Sequence, residues 1–195
     1  MNPYTVVLHL RVLTAKGVQS MPIDESLRFI PLNLGVLTVS DTRTVETDTS
    51  GALLISLIER DGHSVREHQI VRDDLDAIVE ILESWIERGD IDAIVTTGGT
   101  GVTGRDTTPE ALAAVWDKEI PGFGELFRWL SYESIGTSTI QSRATGGVAG
   151  GTYIFALPGS KGACRDGWEK ILKFQFDSRH RPCNLVELMP RLQES

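Results

Sequence analysis

Apolar segments of two kinds alternate along the chain from about residue 32, and this alternation restricts the fold more than any other feature. Short continuous apolar segments such as LNLGVLTVS are typical of strands buried on both faces of a sheet. Longer segments with apolar residues every three or four positions are typical of amphipathic helices. The strand segments are residues 32–40, 63–71, 92–97 and 152–159. The helix segments are residues 49–62, 74–89 and 162–176.

Strands that alternate with helices predict an α/β fold, because right-handed crossovers place successive strands parallel and cover the sheet with helices. We therefore expect a three-layer αβα arrangement around a mostly parallel sheet. The sequence contains neither an internal repeat nor a linker-like segment. It predicts a single domain over residues 29–195, preceded by a loosely ordered N-terminal extension over residues 1–28.

Composition excludes several classes of protein. The 195 residues carry a net charge of −8, which disfavours a general nucleic-acid-binding role because such proteins need a basic surface. No segment approaches the roughly 20 apolar residues of a membrane span. The two cysteines, Cys164 and Cys183, have no metal-ligand spacing, so we expect free thiols in a reducing cytoplasm.

Polar or glycine-rich segments follow four of the predicted strands. Ser40 and Asp41 follow the first strand, and Asp73 and Asp74 follow the second. A glycine loop follows the third strand, and the segment LPGSKG lies at the end of the last strand. Because ligands bind beyond the carboxyl ends of parallel strands, we expect these segments to share one site.

The glycine loop, TTGGTGVTGRDTTPEAL, is the most informative of these segments. Its literal G-x-G-x-x-G match follows the third strand and does not run directly into a helix, so it is not a dinucleotide fingerprint. A Walker A sequence is also absent. Backbone N–H groups of the loop, followed by a helix with Thr108 as its N-cap and Pro109 as its first residue, favour a phosphate. A plain connecting loop would need fewer glycines.

Four segments together resemble a known family. LTVSDTR, TTGGTGVTGRDTTPEA, PGFGELFRWLSYESIGTSTIQSRATGGVAGGT and LPGSKGACRDGWEKIL are similar to the molybdenum cofactor biosynthesis proteins of the MoaB/MogA family. The resemblance extends from about residue 29 to the end. It implies a molybdopterin-binding-domain-like α/β fold that forms homotrimers or homohexamers and acts with other proteins of the pathway.

The resemblance also implies a reaction. The implied reaction is the adenylylation of molybdopterin with Mg²⁺ and ATP, with release of pyrophosphate. By motif position, Asp73 and Asp106 match the two catalytic carboxylates that hold Mg²⁺. The implied substrate-binding residues are Ser40, Asp41, Gly98, Gly99, Thr100, Gly101, Ser142, Arg143, Pro158, Gly159 and Ser160.

Each of these residues also has a structural explanation. Asp106 would favour a helix N-terminus through the helix dipole, and Asp73 would serve as a first-turn acid. Ser40 and Asp41 would form an ordinary turn, and Arg143 would be a surface residue. A non-catalytic molybdopterin-binding or scaffold protein therefore remains an alternative to the enzyme. A nicotinamide-dependent oxidoreductase is a third hypothesis, which requires binding of NAD.

Aromatic residues are concentrated in the segment PGFGELFRWLSYESIGTSTI. Its large apolar residues are Phe123, Leu126, Phe127, Trp129, Leu130 and Tyr132. They provide more apolar surface than one helix on a small sheet usually buries, which predicts a subunit contact. We expect Trp85, Trp116, Trp129 and Trp168 to lie in the core or in such contacts rather than against a pterin.

Overall fold

A sheet of six strands lies at the centre of the computed structural model, which describes residues 23–194. The strands are β1 Asn33–Val39, β2 Ser64–Val71, β3 Ala93–Thr97, β4 Lys118–Glu119, β5 Thr145–Ala149 and β6 Thr152–Leu157. The main helices are α1 Thr49–Arg60, α2 Leu75–Arg88, α3 Thr108–Val115, α4 Pro121–Ile135 and α5 Lys161–Gly167. A π-helical turn, Trp168–Leu172, and the short helix α6, Lys173–Gln175, follow α5. Segments of 3-10 helix are Gly136–Gln141 and Val186–Arg191.

The sheet has the order β2-β1-β3-β6-β5-β4. The first four strands in this order are parallel, whereas β5 pairs antiparallel with both β6 and β4. The predicted mostly parallel sheet is confirmed. The antiparallel edge escaped prediction because β4 has two residues and TGGVA, the sequence of β5, has a weak apolar pattern.

Two apolar cores, one on each face of the sheet, produce the predicted three layers. One core contains residues of α1, α4, α5 and the π-helical turn, including Trp168 of that turn, and the other contains residues of α2 and α3, including Trp85. Gly35 in β1 admits the Trp85 ring, since a Cβ at this position would lie 2.6 Å from it. Trp129 lies outside both cores and is 60% exposed.

Local capping explains both ends of α2. Asp74 accepts a hydrogen bond from the N–H of Ala77 at the start of α2, and Gly89 ends that helix in the left-handed region with φ 68°. The predicted start of α3 is shifted by one residue, because Thr107 is the N-cap and Thr108 is already helical. The hydroxyl of Thr108 instead donates to the carbonyl of Gly98 at 2.9 Å.

The segment before β1 contacts the C-terminal region. The backbone N–H of Asp24 donates to the carbonyl of Arg179 at 2.9 Å, and the hydroxyl of Ser178 donates to the carbonyl of Arg28. Residues 1–22 of the predicted extension lie outside the described residues, so its loose order stays a prediction. Among the described helices, none is long and apolar enough to cross a membrane.

His63 is a buried titratable residue of the core, 5% exposed. Its Nδ1 accepts a hydrogen bond from the backbone N–H of Leu32 at 3.1 Å, so the ring must keep this nitrogen deprotonated. Rings of Phe29, Trp168 and Phe176 surround it. Burial lowers the pKa of His63 below its ordinary value, against smaller opposing effects of carboxylates such as Asp61.

This depressed pKa predicts an acid-sensitive contribution to stability. It is fully present above the ordinary histidine pKa of about 6.5 and is lost as the pH falls below it, because the unfolded chain then binds the proton first. Urea unfolding should therefore show a smaller free energy at about pH 5.5 than at about pH 7.5. His63→Asn, which can still accept from Leu32, should be less stable at the higher pH but show a weaker pH dependence. An equal pH dependence in both proteins would contradict this assignment.

Candidate functional site

A cleft of about 540 Å³ opens beyond the carboxyl ends of β3 and β6. Its walls come from the glycine loop between β3 and α3, the loop between β6 and α5, helix α5 itself, and α4 with the 3-10 segment after it. The lining residues are Gly98, Gly99, Thr100, Gly101, Asp106, Phe127, Ser131, Ser134, Ile135, Ser138, Gln141, Ser142, Pro158, Gly159, Ser160, Gly162, Ala163 and Asp166. The cleft has the size of a site for one small molecule.

The glycines at the start of the loop are required by close packing. Gly98 and Gly99 have φ values of 106° and 61°, in the left-handed region that favours glycine. A Cβ at Gly98 would lie 2.1 Å from the carbonyl oxygen of Val39, and one at Gly99 would lie 2.3 Å from the hydroxyl of Thr108. Gly104, by contrast, has open space around it.

The two predicted catalytic carboxylates both lie against this loop. Oδ1 of Asp73 accepts hydrogen bonds from the N–H and hydroxyl of Thr107, at 3.0 and 2.9 Å. Oδ2 of Asp106 accepts from the N–H and hydroxyl of Thr103, at 2.9 and 2.6 Å. A Cβ at Gly99 would approach the Asp73 carboxylate, and a Cβ at Gly101 would approach that of Asp106. The loop thus contacts two carboxylates that are 33 positions apart in the sequence, of which Asp106 lines the cleft and Asp73 lies outside its lining.

Asp106 is held in its ionised form. Hydrogen bonds from the Thr103 side chain lower its pKa most, and backbone N–H groups and the Arg143 guanidinium lower the pKa further, against a smaller opposing effect of burial. Asp106 therefore carries a negative charge at the edge of the cleft at neutral pH.

Arg143 secures the back of the loop. Its Nε donates to the carbonyl of Gly101 at 2.6 Å, its Nη2 donates to the carbonyl of Asp106 at 2.7 Å, and its Nη1 pairs with Glu110. Its backbone N–H also donates to the carbonyl of Thr100. All guanidinium nitrogens face protein acceptors, so the structure supports a positioning role for Arg143 rather than contact with a ligand in the cleft.

The loop after β1, which contains Ser40 and Asp41, contributes neither of these residues to the cleft lining. Ser40 accepts hydrogen bonds from the N–H groups of Thr42 and Arg43, as in an ordinary turn. Asp41 forms an ion pair with Arg105 of the glycine loop and accepts a long bond from the N–H of Asp73. Asp41 therefore links the ends of β1 and β2 to the glycine loop.

The remaining predicted residues line the cleft directly. Ser142 lies on one wall, and Pro158, Gly159 and Ser160 form another. Ser160 caps α5 by accepting from the N–H of Ala163 at 3.2 Å, while Ser50 donates to the carbonyl of Gly159 at 3.2 Å. These contacts fix the loop after β6 beside the glycine loop.

A serine-rich wall from α4 and the 3-10 segment after it was not predicted. Ser131, Ser134 and Ser138 line the cleft together with Phe127 and Ile135. Their spacing of three and four residues is a helical periodicity that the sequence does contain, and it would have indicated a polar stripe. Asp166 of α5 was also missed, because one carboxylate in a helix gives no signal by itself.

A buried polar cluster at the start of α1 was missed as well. The Asp48 carboxylate, 2% exposed as a residue, accepts from the hydroxyl of Thr38 at 2.6 Å and the N–H of Gly51 at 2.9 Å, and it contacts His68 Nε2 at 3.1 Å. Burial would raise the pKa of Asp48, but these contacts together lower it. The cluster holds the start of α1 against β1 and β2.

Comparison with known proteins identifies this fold. Residues 35–178 match a family described as a probable molybdopterin binding domain. The molybdenum cofactor biosynthesis protein B of Escherichia coli (strain K12) is 50% identical over 159 residues, which make up 82% of this chain and 94% of that protein. This chain belongs to the molybdopterin-binding-domain family.

Solved structures of related proteins have the same fold as this chain. The crystal structure of a molybdenum cofactor biosynthesis protein B has a TM-score of 0.77 and 41% identity, covering 85% of this chain and 98% of the other. The tungsten cofactor synthesizing protein MoaB from Pyrococcus furiosus has a TM-score of 0.63 and 38% identity, covering 73% and 91%. The predicted molybdopterin-binding-domain-like α/β fold is confirmed.

The charge of the cleft limits how this molybdopterin-binding domain can hold an anion. Of the described residues that line the cleft, none is Lys or Arg, whereas Asp106 and Asp166 are acidic. Within residues 23–194, no group of three or more His, Cys, Asp or Glu side chains is placed to hold a metal. A phosphate in the cleft would therefore depend on backbone N–H groups and on a cation that arrives with the ligand.

The packing around the loop glycines predicts that a substitution at Gly99 lowers the stability of the protein much more than one at Gly104. Gly99→Ala should destabilise the protein by about 1–2 kcal/mol for its left-handed backbone alone, with a further loss from contact with Thr108. Gly104→Ala should change the free energy of unfolding by less than about 0.5 kcal/mol. Urea denaturation of both variants measures the difference. Equal stabilities would show that the loop tolerates a side chain at Gly99.

Proposed function

We propose that this chain is an adenylyltransferase of molybdenum cofactor biosynthesis, which transfers the adenylyl group of Mg²⁺-ATP to the phosphate of molybdopterin. The membership of the chain in the molybdopterin-binding-domain family supports molybdopterin as a substrate. The observation that carries the catalytic part is the pair Asp73 and Asp106, held by Thr107 and Thr103 against one glycine loop at the cleft.

The donor atoms of this pair fit Mg²⁺. Carboxylate oxygens are ligands that Mg²⁺ prefers, and in phosphoryl-transfer sites it usually takes one or two of them and completes its shell with phosphate oxygens and water. Oδ1 of Asp73 already accepts hydrogen bonds from Thr107, whereas Oδ2 lies near Gly99 of the loop. When bound, Mg²⁺ would neutralise charge on the phosphates of ATP. Asp73 and Asp106 are the residues that would hold it.

The remaining residues would act by positioning. A phosphate oxygen of molybdopterin forms a bond to the α-phosphorus of ATP, the bond from that phosphorus to the bridging oxygen breaks, and pyrophosphate leaves with the electron pair. Such a transfer requires alignment and charge stabilisation more than covalent participation of the protein. The backbone N–H groups of Gly99 and Thr100 would orient the phosphates, and Arg143 would keep this loop rigid from behind.

A non-catalytic molybdopterin-binding protein is the second candidate, and two observations favour it. Asp73 and Asp106 each satisfy backbone and hydroxyl donors of the loop, which is a structural task that needs no metal. A cleft without lysine or arginine among its described lining residues would bind a pterin without activating ATP. The two candidates differ in whether the carboxylates affect turnover.

Neutral variants of the carboxylates separate these candidates. Asp73→Asn and Asp106→Asn should each lower the rate of adenylylated molybdopterin formation by about 100-fold or more, because each removes charge stabilisation while Asn still accepts from threonine. Chromatography of reactions with Mg²⁺, ATP and molybdopterin measures the product. Asp74→Asn is the matched control, since it changes a neighbouring carboxylate and Asn still caps α2. Near-normal rates in both variants, or no product from the unchanged protein, would support the binding protein instead.

We also propose that the chain assembles into a homotrimer or homohexamer and contacts other proteins of the pathway. Of the apolar residues in the α4 segment, Phe123, Phe127 and Leu130 are buried in the core of the chain itself, whereas Leu126, Trp129 and Tyr132 are exposed. The exposed residues supply the surface that an oligomer would bury. We place the reaction in the cytoplasm, in line with the free cysteines Cys164 and Cys183.

Light scattering tests the assembly. The protein should have the mass of a trimer or hexamer at micromolar concentration, and Trp129→Glu should reduce it, because burial of a charge in an apolar interface is costly. Leu188→Glu, a change of another exposed apolar residue outside the α4 segment, should leave the mass unchanged. A monomeric wild-type protein would remove this part of the proposal.

A further inference from the structure

Two acidic residues, Asp106 and Asp166, occur in the described lining of the cleft. The proposed adenylyl transfer uses Asp106 but assigns no role to Asp166. It lies on α5, whose residues Gly162, Ala163 and Asp166 face the cleft on one side of the helix. The helix rises by about 1.5 Å per residue, so Asp166 is roughly 9 Å along the axis from the N-cap Ser160. It therefore lies at the end of the cleft remote from the loops that would hold phosphate.

The carboxylate of Asp166 keeps capacity for a ligand. Lys170, one helical turn later, contacts Oδ1 through its Nζ at 3.0 Å, and the Asp166 side chain is 24% exposed. Within residues 23–194, this ion pair accounts for one of the two carboxylate oxygens. Because each carboxylate oxygen accepts more than one hydrogen bond, the group can still accept from two parallel donors.

The lining of the cleft that contains Asp166 suits a flat ring with one polar edge. Phe127, Ile135 and Ala163 give the cleft apolar surface, and Ser131 and Ser134 add hydroxyl groups. A pterin has such a ring, and its pyrimidine edge presents two adjacent N–H donors, at N3 and at the 2-amino group. Two parallel donors match the two oxygens of a carboxylate in the geometry known from arginine–carboxylate pairs.

We propose that Asp166 determines specificity for the pterin ring by accepting hydrogen bonds from N3–H and the 2-amino group. The inference rests on the proposed function, from which it takes molybdopterin as the ligand. The ring then lies along α5, with the phosphorylated side chain directed towards Ser160 and the glycine loop. This orientation places the phosphate beside Asp106 and the recognised edge of the ring at the opposite end of the cleft.

Two stable probes that differ at the 2-position test the proposal. They are 6-hydroxymethylpterin phosphate and 6-hydroxymethyllumazine phosphate, in which a carbonyl oxygen replaces the 2-amino group. Wild-type protein should bind the pterin at least about tenfold more tightly in titration calorimetry, because the lumazine oxygen would face the carboxylate. Asp166→Asn should reduce the ratio to one or below, since an amide offers one donor and one acceptor.

Lys170→Met is the matched control. It removes the ion pair of Asp166 and one positive charge but keeps the carboxylate, so the ratio of the two affinities should remain at the wild-type value. If Asp166 served only the ion pair, the two variants would behave alike, and this result would overturn the inference. Near-ultraviolet circular dichroism verifies that both variants are folded.

The remaining outcomes separate the inference from the proposed function. Equal affinity of the wild-type protein for both probes, or a preference that Asp166→Asn retains, would overturn the role of Asp166 and leave the pterin site in place. Binding of neither probe by the wild-type protein would overturn the pterin site itself, and the inference with it.

Discussion

The close approach of three strand ends at Gly98 is the constraint on which the cleft depends. The Gly98 N–H donates to the carbonyl of Leu157 at 3.0 Å, and the carbonyl of Val39 lies where a Cβ of Gly98 would be. A Cβ at Gly159 would lie 3.2 Å from the Cα of Gly98. The ends of β1, β3 and β6 therefore meet as bare backbone, and the loops after β3 and β6 leave the sheet side by side.

Charge around the cleft is arranged in two layers. Arg143 lies behind the glycine loop, where it donates hydrogen bonds to the carbonyl oxygens of Gly101 and Asp106 and pairs with Glu110. Asp73 and Asp106 lie against the loop itself. Under the proposed function, backbone N–H groups and a metal ion would balance the phosphates, and the arginine would stabilise the loop without competing for them. Electrostatic preorganisation of this kind requires a rigid loop.

Much of the fold could be predicted because its signals are local. The apolar stripe of Leu75, Ile78 and Leu82, with Asp74 before it and Gly89 after it, specifies α2 through periodicity and capping alone. Predictions failed where the decisive contact is distant. Thr108 was predicted as an N-cap, but its hydroxyl bonds to Gly98, ten residues earlier. Strand β5 has a weak apolar pattern, and its strand conformation depends on backbone pairing with β6, a contact that the local sequence does not reveal.

By itself, the sequence determined the alternation of strands and helices and the loops that follow the strands, because hydrophobic period, glycine and capping residues act over a few positions. The family motifs also indicated Asp73 and Asp106. Tertiary structure alone decided that Arg143 turns its guanidinium to the back of the loop and that Ser40 stays in a turn. It also decided that Asp166 enters the cleft, because side-chain direction depends on packing between segments far apart in the chain.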